Sequence, residues 1–574
     1  MEPPPSQKSR QNVPVWWRFS FSPDTWPFLA LLAIIAFIPR LLLAWQLDVY
    51  TDEPIYVAAG NGYILLLKQL NITSANWLYN NEHPAFAKLL MGMFIYVARH
   101  LHTTNILFPA RLISVLLGTI LVVGIYALGR APFGRTVALL AALSLAFSPW
   151  VVYFSGLAML DMTMTALISL AYLLLWHAIH RPRLYALSGI LIGLAGASKY
   201  PAALMVPAFF AFIAYYYAVL RRKLPAEQRR PLPWRWWLLG LCLIPVSFFL
   251  ADPPIWLNPF HRLLKSLAFS LGHADAGHVT FWAGQVYTHV PPWMILYVLF
   301  AKVSAFVTLP ALFFIVFAVL QLSRFHFGRA RGSARQSDGD AINAIASTAF
   351  LFFWLVDALL LFSQLTILVG THYYLPVAPP LFLAGACGLT LVGRWLFRRF
   401  LPERTSQQAK QVKMTRTQTT RLNWRAGILF ALLALALVGP HLLGLLTTPD
   451  ADGYTSEFFH GENSSLEVMY VGYRDADEWL MAHSKTGGTV GIVGGSATVL
   501  WYIANPKAVG KFQFLVTTYG RKSYDYDYLV WPMNLLQRKW GPPADWKNHV
   551  VHQITGGDTI YCLIMARNPS SLLP

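Results

Sequence analysis

Apolar runs of about 20 residues recur along the chain, with short polar connections between them. The hydrocarbon core of a bilayer requires this length of apolar helix, whereas a water-soluble helix carries one apolar stripe and one polar face. The pattern predicts about eleven transmembrane helices, near 27–46, 109–129, 136–154, 159–178, 184–198, 201–220, 236–251, 293–322, 342–362, 373–394 and 426–447. We therefore expect an all-α polytopic membrane protein.

Composition supports the same class. Of the 574 residues only 12% are charged and 56% are hydrophobic, against about 25% charged in an ordinary soluble domain. The polar start of the chain does not resemble a signal peptide, so we expect the first apolar run to remain as a transmembrane helix. The three cysteines, Cys242, Cys387 and Cys562, are widely scattered, which excludes a disulfide framework or a thiolate metal site.

The net charge of +19 is unevenly distributed. Arg and Lys gather in alternate connections, most densely in 221–235 and 394–425. The positive-inside rule then predicts a cytoplasmic N-terminus and a protein integral to the plasma membrane. Its basic charge would face anionic lipid and not nucleic acid. An odd number of spans places the C-terminal segment outside.

Three regions are predicted: a cytoplasmic tail, residues 1–26; a transmembrane domain, 27–447; and an extracytoplasmic C-terminal domain, 448–574. The transmembrane domain carries large outer loops at 47–108 and 252–292. The C-terminal segment has strand-like runs (TVGIVGG, DTIYCLIMA) beside a helix-like one (DADEWLMAH). These runs predict a small α/β domain.

The first outer loop contains two stretches, 62–70 and 85–101, that are apolar with a few basic residues. This pattern is typical of helices that lie at a membrane interface, where lysine and arginine extend toward water. We therefore predict helix in both stretches.

Acidic residues outside the C-terminal segment fall on predicted outer helix ends or outer loops. Acids at a membrane boundary are costly and tend to mark function, so the active surface is expected to face outward. These acids are Asp48, Asp52, Glu53, Glu82, Asp161, Asp252 and Asp275.

Several short motifs place polar groups at the same ends. Taken singly, each has an ordinary structural explanation: a solvated acidic helix cap, a boundary arginine, a lysine that extends to the interface, or a belt of interfacial tyrosines. Together they bring acids and cations to one face. The motifs are Asp52-Glu53, Glu82-His83-Pro84 with Lys88, Arg111 with Ser114, Leu160-Asp161, Lys199-Tyr200-Pro201 and Tyr373-Tyr374-Leu375-Pro376.

This ordered set resembles the protein O-mannosyltransferase and aminoarabinose transferase group of GT-C glycosyltransferases, over roughly residues 27–394. The resemblance implies an inverting enzyme that transfers a monosaccharide from a polyprenyl-phosphate donor to an acceptor hydroxyl on the outer face. Ala85 and Ala87 depart from the mannosyltransferase form, which has proline and glycine there. The sugar-binding insert of the eukaryotic mannosyltransferases is absent, which argues against a protein acceptor.

The resemblance also implies roles for individual residues. Asp52 would accept the proton of the attacking hydroxyl, and Glu53 would position the acceptor. Charge on the departing phosphate would be stabilised by cations and hydrogen-bond donors. The candidates for substrate and phosphate binding are Lys88, Arg111, Asp161, Lys199, Tyr373 and Tyr374.

A divalent metal ion, zinc or magnesium, is the only cofactor that the resemblance suggests. Its ligands would be Glu82 and His289. The alternative interpretation is that these are two polar residues at the membrane interface that bind no metal. His273 and His278 are five residues apart, off a common helical face, and are expected to be loop residues. A donor already activated on a lipid needs no nucleotide cofactor.

Two other functions stay open. A transporter or lipid-carrier flippase would place its charges near the membrane midplane, often within an internal repeat, and no repeat is visible here. An inactive scaffold could keep the fold and bind partners through its C-terminal domain. The sugar is not specified by the sequence, and the acceptor could be a lipid, a glycan or a protein.

Overall fold

A computed structural model describes residues 26–573 except for 51, 104, 328–338, 401–415, 449–450, 452, 460–465, 469–470, 495–510 and 557–558. The predicted cytoplasmic tail therefore lies almost entirely outside the described residues.

The described chain is mostly helical. Its helices are α1 (Trp26–Gln46), α2 (Glu53–Lys68), α3 (Phe86–His100), α4 (Leu107–Phe133), α5 (Arg135–Phe147), α6 (Pro149–Ser155), α7 (Leu160–Ala178), α8 (Leu184–Gly196), α9 (Val206–Tyr215), α10 (Arg221–Lys223), α11 (Trp234–Ala251), α12 (Pro259–Ala276), α13 (Met294–Lys302), α14 (Ala305–Phe327), α15 (Gly339–Phe362), α16 (Ala378–Phe400), α17 (Arg416–Thr447), α18 (Tyr473–His483) and α19 (Met533–Gln537).

Nine helices of the described chain are long and apolar enough to cross a membrane, or ten if the bent pair α5 and α6 counts as one span. The predicted fold class is confirmed, with a smaller number of spans than the sequence pattern suggested. The predicted span 184–198 is the 13-residue helix α8. The predicted span 293–322 divides into α13 and α14. Helices are present at both stretches predicted in the first loop, as α2 and α3.

Proline explains why the predicted span 136–154 is bent by 64° between α5 and α6. Pro149 has no backbone N–H and disfavours helical backbone at Ser148, which is extended, with ψ 116°. The helix therefore ends with carbonyls that have no partner in the next turn. The buried Arg40 of α1 donates to two of them, Ala146 O at 3.0 Å and Leu145 O at 3.3 Å. The arginine thus satisfies polar groups that lipid could not.

Helices α2 and α3 approach so closely that only glycine fits between them. A Cβ on Gly60 would lie 2.2 Å from the carbonyl oxygen of Lys88, and one on Gly92 would lie 2.0 Å from that of Gly60. Small residues allow such backbone contact between membrane helices. The contact fixes where α3, and with it Lys88, lies relative to α2.

The C-terminal region contains a mixed five-stranded sheet, as the strand-like runs predicted. Its strands are β3 (Gly488–Val493), β4 (Phe512–Thr517), β5 (Tyr528–Pro532), β6 (Val550–Gly556) and β7 (Thr559–Ala566), in the order β4-β3-β5-β7-β6. Strand β3 is parallel to both neighbours, and β7 is antiparallel to both of its own. A two-stranded hairpin, β1 (Thr280–Trp282) and β2 (Gln285–Tyr287), lies in the loop after α12.

Helix α18 joins this sheet region to the segment that follows α1. The backbone N–H of Arg474 donates to Asp48 Oδ1 at 3.0 Å, and its guanidinium donates to the carbonyl of Gln46 at 3.1 Å. Met481 packs against the buried Val49. These contacts with α18 therefore help to fix the residues that precede Asp52.

The glycine contact between α2 and α3 gives a testable prediction. Gly92→Ala places a methyl group against the Gly60 carbonyl, and because backbone cannot yield as a side chain can, we expect a loss of about 1–3 kcal/mol. Thermal unfolding of the purified protein measures the loss. Gly62→Ala is the matched control, since nothing lies within 4 Å of its Cβ position. Equal unfolding temperatures for the two variants would contradict the close contact.

Candidate functional site

A buried ion pair lies at the start of α2. Glu53 and Arg111 are 0% and 2% exposed, and their side chains meet through two contacts of 2.7 and 2.8 Å. Glu53 Oε1 also accepts from Ala158 N at 2.7 Å, and Oε2 accepts from Tyr50 N at 2.8 Å. Both carboxylate oxygens are thus used within the protein.

Arg111, near the start of α4, has partners for all three of its nitrogens. Besides Glu53 it donates to Ala44 O at 3.0 Å, to Leu47 O at 2.9 Å and to the carbonyl of Asp48. These carbonyls belong to the end of α1 and the residues after it. A guanidinium has five N–H donors, and these bonds occupy all five. Glu53 and Arg111 therefore hold the segment before Asp52 in place and leave no donor of Arg111 for a phosphate.

Asp52 differs from its neighbour. It is partly exposed, and its carboxylate forms no hydrogen bond with the part of the chain that the structure describes. Burial raises the pKa of Asp52 to about 6, and the positive charge of Lys199 opposes that shift. Three carboxylates reinforce it: Glu82, Asp161 and Glu53. Asp52 is thus a carboxylate with open coordination, and its pKa is suited to proton transfer near neutral pH.

Lys199 lies where α8 has ended and the chain is extended before Pro201. It is 3% exposed, and its ammonium binds both oxygens of Asp161, at 2.8 and 2.9 Å. Asp161 is in the first turn of α7, where a helix favours negative charge. The ammonium also lies 4.6 Å from the ring centroid of Tyr373. A cation is therefore positioned near Asp52 by one carboxylate and one aromatic ring.

The two predicted tyrosines occupy different environments. Tyr373 contacts Lys199, whereas the ring of Tyr374 is completely buried and its hydroxyl has no partner among the described residues. Of the pair, Tyr373 is the one placed beside the predicted cation. The adjacent His372 lies 3.5 Å from the Tyr50 hydroxyl, which connects this segment to the residues before Asp52.

Lys88 is buried and fully engaged. Its ammonium donates to Asn80 O at 2.7 Å, Asn80 Oδ1 at 3.1 Å and His83 O at 2.7 Å. Asn80 adopts a left-handed conformation, φ +53°, and its amide donates to Glu82 Oε1 at 2.9 Å. Asparagine tolerates this conformation better than most residues. Lys88 therefore fixes the loop that carries Glu82 and His83, and sequence reasoning did not single out Asn80.

Asp252, just beyond α11, supports the same loop from the other side. Its Oδ1 accepts from Ala85 N at 2.9 Å. Burial raises the pKa of Asp252 and lowers that of Lys88. The charge of each group opposes the shift of the other, because opposite charges favour the ionised forms. The sequence marked Asp252 as an acid at a helix end but did not indicate its partner, because Ala85 is 167 residues away.

Each of the two predicted metal ligands has a hydrogen-bond contact with another residue. Glu82 is bonded to Asn80, and His289 Nε2 lies 3.0 Å from the carbonyl of Asp275. Within the described ranges no group of three or more His, Cys, Asp or Glu side chains could hold a metal ion. Glu82 and His289 by themselves would supply one carboxylate and one imidazole, and the remaining ligands of such an ion would be water or a donor phosphate.

His273 and His278 were predicted to be loop residues, but His273 lies in the last turn of α12 and His278 follows the helix. Gly277, at φ +72°, reverses the chain after α12, and the two Nε2 atoms lie 2.7 Å apart. At that distance the N–H of one ring donates a hydrogen bond to the ring nitrogen of the other.

The buried ion pair predicts a large cost for losing one partner. Glu53→Gln would leave Arg111 buried without a counter-charge. The N–H₂ group of the new glutamine would also face N–H donors that now bond to the carboxylate of Glu53. We expect a loss of about 3–5 kcal/mol in the free energy of unfolding. Glu478→Gln is the control, because its bond to Arg474 is partly exposed and an exposed pair contributes at most about 1 kcal/mol. Similar unfolding curves for both variants would show that the pair does not anchor the segment.

Solved structures of two proteins align with most of the chain at low identity. ArnT from Cupriavidus metallidurans in the apo state is 15% identical, with 96% of this chain and 100% of that chain covered and a TM-score of 0.49. ArnT bound to undecaprenyl phosphate is 14% identical, with 96% of this chain and 99% of that chain covered and a TM-score of 0.46. The third structure is the oligosaccharyltransferase AglB of Archaeoglobus fulgidus in complex with an inhibitory peptide and a dolichol-phosphate. It is 13% identical, with 87% of this chain and 65% of that chain covered and a TM-score of 0.45. No curated protein matches the chain in sequence.

Residues 82–250 match the family model described as dolichyl-phosphate-mannose-protein mannosyltransferase. This segment contains Glu82, Lys88, Arg111, Asp161 and Lys199, which carry the motifs singled out in the sequence. The match agrees with the predicted resemblance to the protein O-mannosyltransferase group and covers less than a third of the chain.

Proposed function

We propose that the protein transfers a monosaccharide from a polyprenyl-phosphate donor to an acceptor hydroxyl, with Asp52 as the base. One observation carries the proposal: a carboxylate without a hydrogen-bond partner among the described residues lies within electrostatic reach of a positioned lysine. The ligands in the neighbouring structures, undecaprenyl phosphate and dolichol-phosphate, are polyprenyl phosphates, the carrier that such a donor releases.

The reaction is a single displacement. The acceptor oxygen attacks the anomeric carbon while the bond between that carbon and the phosphate oxygen breaks, and the electron pair leaves with the polyprenyl phosphate. The proton of the acceptor hydroxyl passes to the Asp52 carboxylate. Because the nucleophile enters opposite the leaving group, the anomeric configuration inverts.

Lys199 stabilises the charge that develops on the departing phosphate. Its ammonium is bound to Asp161, which keeps a buried cation paired. The donor phosphate then shares the ammonium with Asp161. We assign Tyr373 to orient that ammonium through its ring, and Glu53, Arg111 and Lys88 to position the loops around the site.

We further propose that the site faces the non-cytoplasmic side, with the N-terminus inside and the region 448–574 outside. The distribution of Arg and Lys along the sequence supports this orientation. Residues of the site occur at one set of helix ends: after α1 and α11, and at the starts of α4 and α7. A transporter would instead hold its charges near the middle of its spans.

The role of Asp52 is tested by Asp52→Asn. An amide of the same size cannot accept the hydroxyl proton, so we expect the rate of transfer to fall by about 10²–10⁴, while polyprenyl phosphate still binds. Release of free polyprenyl phosphate from a panel of polyprenyl-phosphate sugars measures turnover. Asp545→Asn, an exposed change in the C-terminal region, is the control. Near-normal turnover by Asp52→Asn would remove Asp52 from this role.

The pH dependence tests the environment of Asp52. A base must be ionised, so kcat/KM should fall as the pH drops through a value of about 6, the pKa of Asp52. Glu82→Gln removes a negative neighbour and should move this acid limb to lower pH. Lys199→Met removes the positive neighbour and should move it to higher pH, besides slowing transfer. An acid limb that stays fixed in both variants would contradict the assignment.

A further inference from the structure

Tyr56 lies in the first turn of α2, on the same side of the helix as Asp52. Its backbone N–H donates to the Asp52 carbonyl at 3.1 Å. Residues four apart on a helix share one face, with their Cβ atoms about 5–6 Å apart, so the two side chains are direct neighbours. The Tyr56 ring is 3% exposed and lies beside the ring of His83, with 6.1 Å between the centroids. The sequence motifs did not single out this tyrosine.

The hydroxyl of Tyr56 has no hydrogen-bond partner in the part of the chain that the structure describes. A buried tyrosine hydroxyl usually finds one. That of Tyr63, on the same helix, donates to the carbonyl of Tyr79. Since a buried polar group without a partner costs free energy, the position of Tyr56 is explained if its partner arrives with a substrate.

Acidic side chains surround this hydroxyl. Burial raises the pKa of Tyr56 well above its usual value, and the negative charges of Asp52, Asp161 and Glu82 raise it further. Tyr373 acts in the same direction. The phenol therefore keeps its proton and can donate a hydrogen bond. Because Coulomb energies fall with distance, the hydroxyl is close to all four of these side chains.

These neighbours place Tyr56 between the two ends of the proposed reaction. Asp52 is the proposed base, whereas Asp161 and Tyr373 are the side chains that contact the Lys199 ammonium. In a single displacement the anomeric carbon lies between the attacking hydroxyl, at Asp52, and the departing phosphate, at Lys199. The sugar ring of the donor therefore belongs in the space beside the Tyr56 hydroxyl.

From this arrangement we infer that Tyr56 contacts the donor sugar and donates a hydrogen bond to one of its hydroxyl groups. The inference rests on the proposed function for the presence of that sugar. It makes Tyr56 a residue that selects the donor, because a sugar without this hydroxyl leaves a buried phenol unpaired, and sites of this kind discriminate strongly against such analogues.

A sugar hydroxyl suits this position better than the donor phosphate does. The carboxylates around Tyr56 repel a further anion, and the cation that attracts the phosphate, Lys199, lies on the side of Asp161 and Tyr373. Carboxylate oxygens accept hydrogen bonds, so the same acidic side chains can bind other hydroxyl groups of the sugar. A neutral ring with several hydroxyl groups therefore matches the chemistry of these side chains.

The test combines Tyr56→Phe with changes in the substrate, using the full-length protein in nanodiscs. Phenylalanine keeps the ring beside His83 and removes only the oxygen. The donor is whichever of polyprenyl-phosphate mannose, glucose and aminoarabinose the wild type turns over fastest, together with its monodeoxy analogues. We expect Tyr56→Phe to lower kcat/KM for the intact donor by about tenfold, the effect of one hydrogen bond. For the analogue that lacks the partner hydroxyl, the two proteins should have equal kcat/KM.

Two controls separate a contact with the sugar from a structural role. Tyr96→Phe makes the same change on α3, where the ring contacts Lys68 and His100, and should leave kcat/KM unchanged for every donor. Polyprenyl phosphate has no sugar, so its Kd should be the same for Tyr56→Phe and the wild type. A weaker Kd for polyprenyl phosphate, or an equal loss of kcat/KM with the intact donor and with every analogue, would overturn the inference.

The outcomes for this inference and for the proposed function differ. Wild-type protein that turns over none of the donors would refute the proposed function, and the contact between Tyr56 and the sugar with it. Turnover by the wild type with the same kcat/KM in Tyr56→Phe would refute only the contact and leave the roles of Asp52 and Lys199 intact.

Discussion

The contact between Glu53 and Arg111 sets the geometry on which the candidate site depends. Ion pairs that lose their water are costly unless every lone pair and donor is satisfied, and here the two side chains satisfy each other, two backbone N–H groups and three carbonyls. Those backbone groups come from the end of α1, the residues after it and the segment before α7. Because Asp52 is the neighbour of Glu53, its position follows from this network.

The same principle accounts for other buried charges in the chain. Arg40 compensates carbonyls that Pro149 leaves without partners, and Lys88 fills the inside of the loop around Asn80. Most of the hydrogen bonds from these two cations go to backbone oxygens. Lys199 differs from them, since it contacts the carboxylate of Asp161 and the ring of Tyr373. A side-chain partner can move when a phosphate arrives, whereas a backbone carbonyl inside a folded loop cannot.

Apolar length alone predicted the membrane class, most of the spans and the helices α2 and α3. Apolar length predicted 136–154 as one span and did not indicate the bend at Pro149, because length does not register the missing N–H of a proline. The roles of Arg111 and Lys88 were not readable, because a sequence does not show where carbonyls converge on a cation. Tyr373 and Tyr374 are neighbours in sequence, and only the structure shows that Tyr373 contacts Lys199 whereas the Tyr374 hydroxyl has no partner among the described residues. His273 and His278 meet because Gly277 adopts a positive φ, which a helical projection does not represent.

Under the proposed function, Lys199 links the two proton and charge movements of the reaction. The positive charge of Lys199 lowers the pKa of Asp52 against the effect of burial. As the bond to the phosphate breaks, negative charge grows beside Lys199 and offsets its influence on Asp52. The affinity of Asp52 for a proton therefore rises during the step in which it must take one. A base that strengthens as the leaving group departs stabilises the transition state more than the bound substrates, which is the requirement for catalysis.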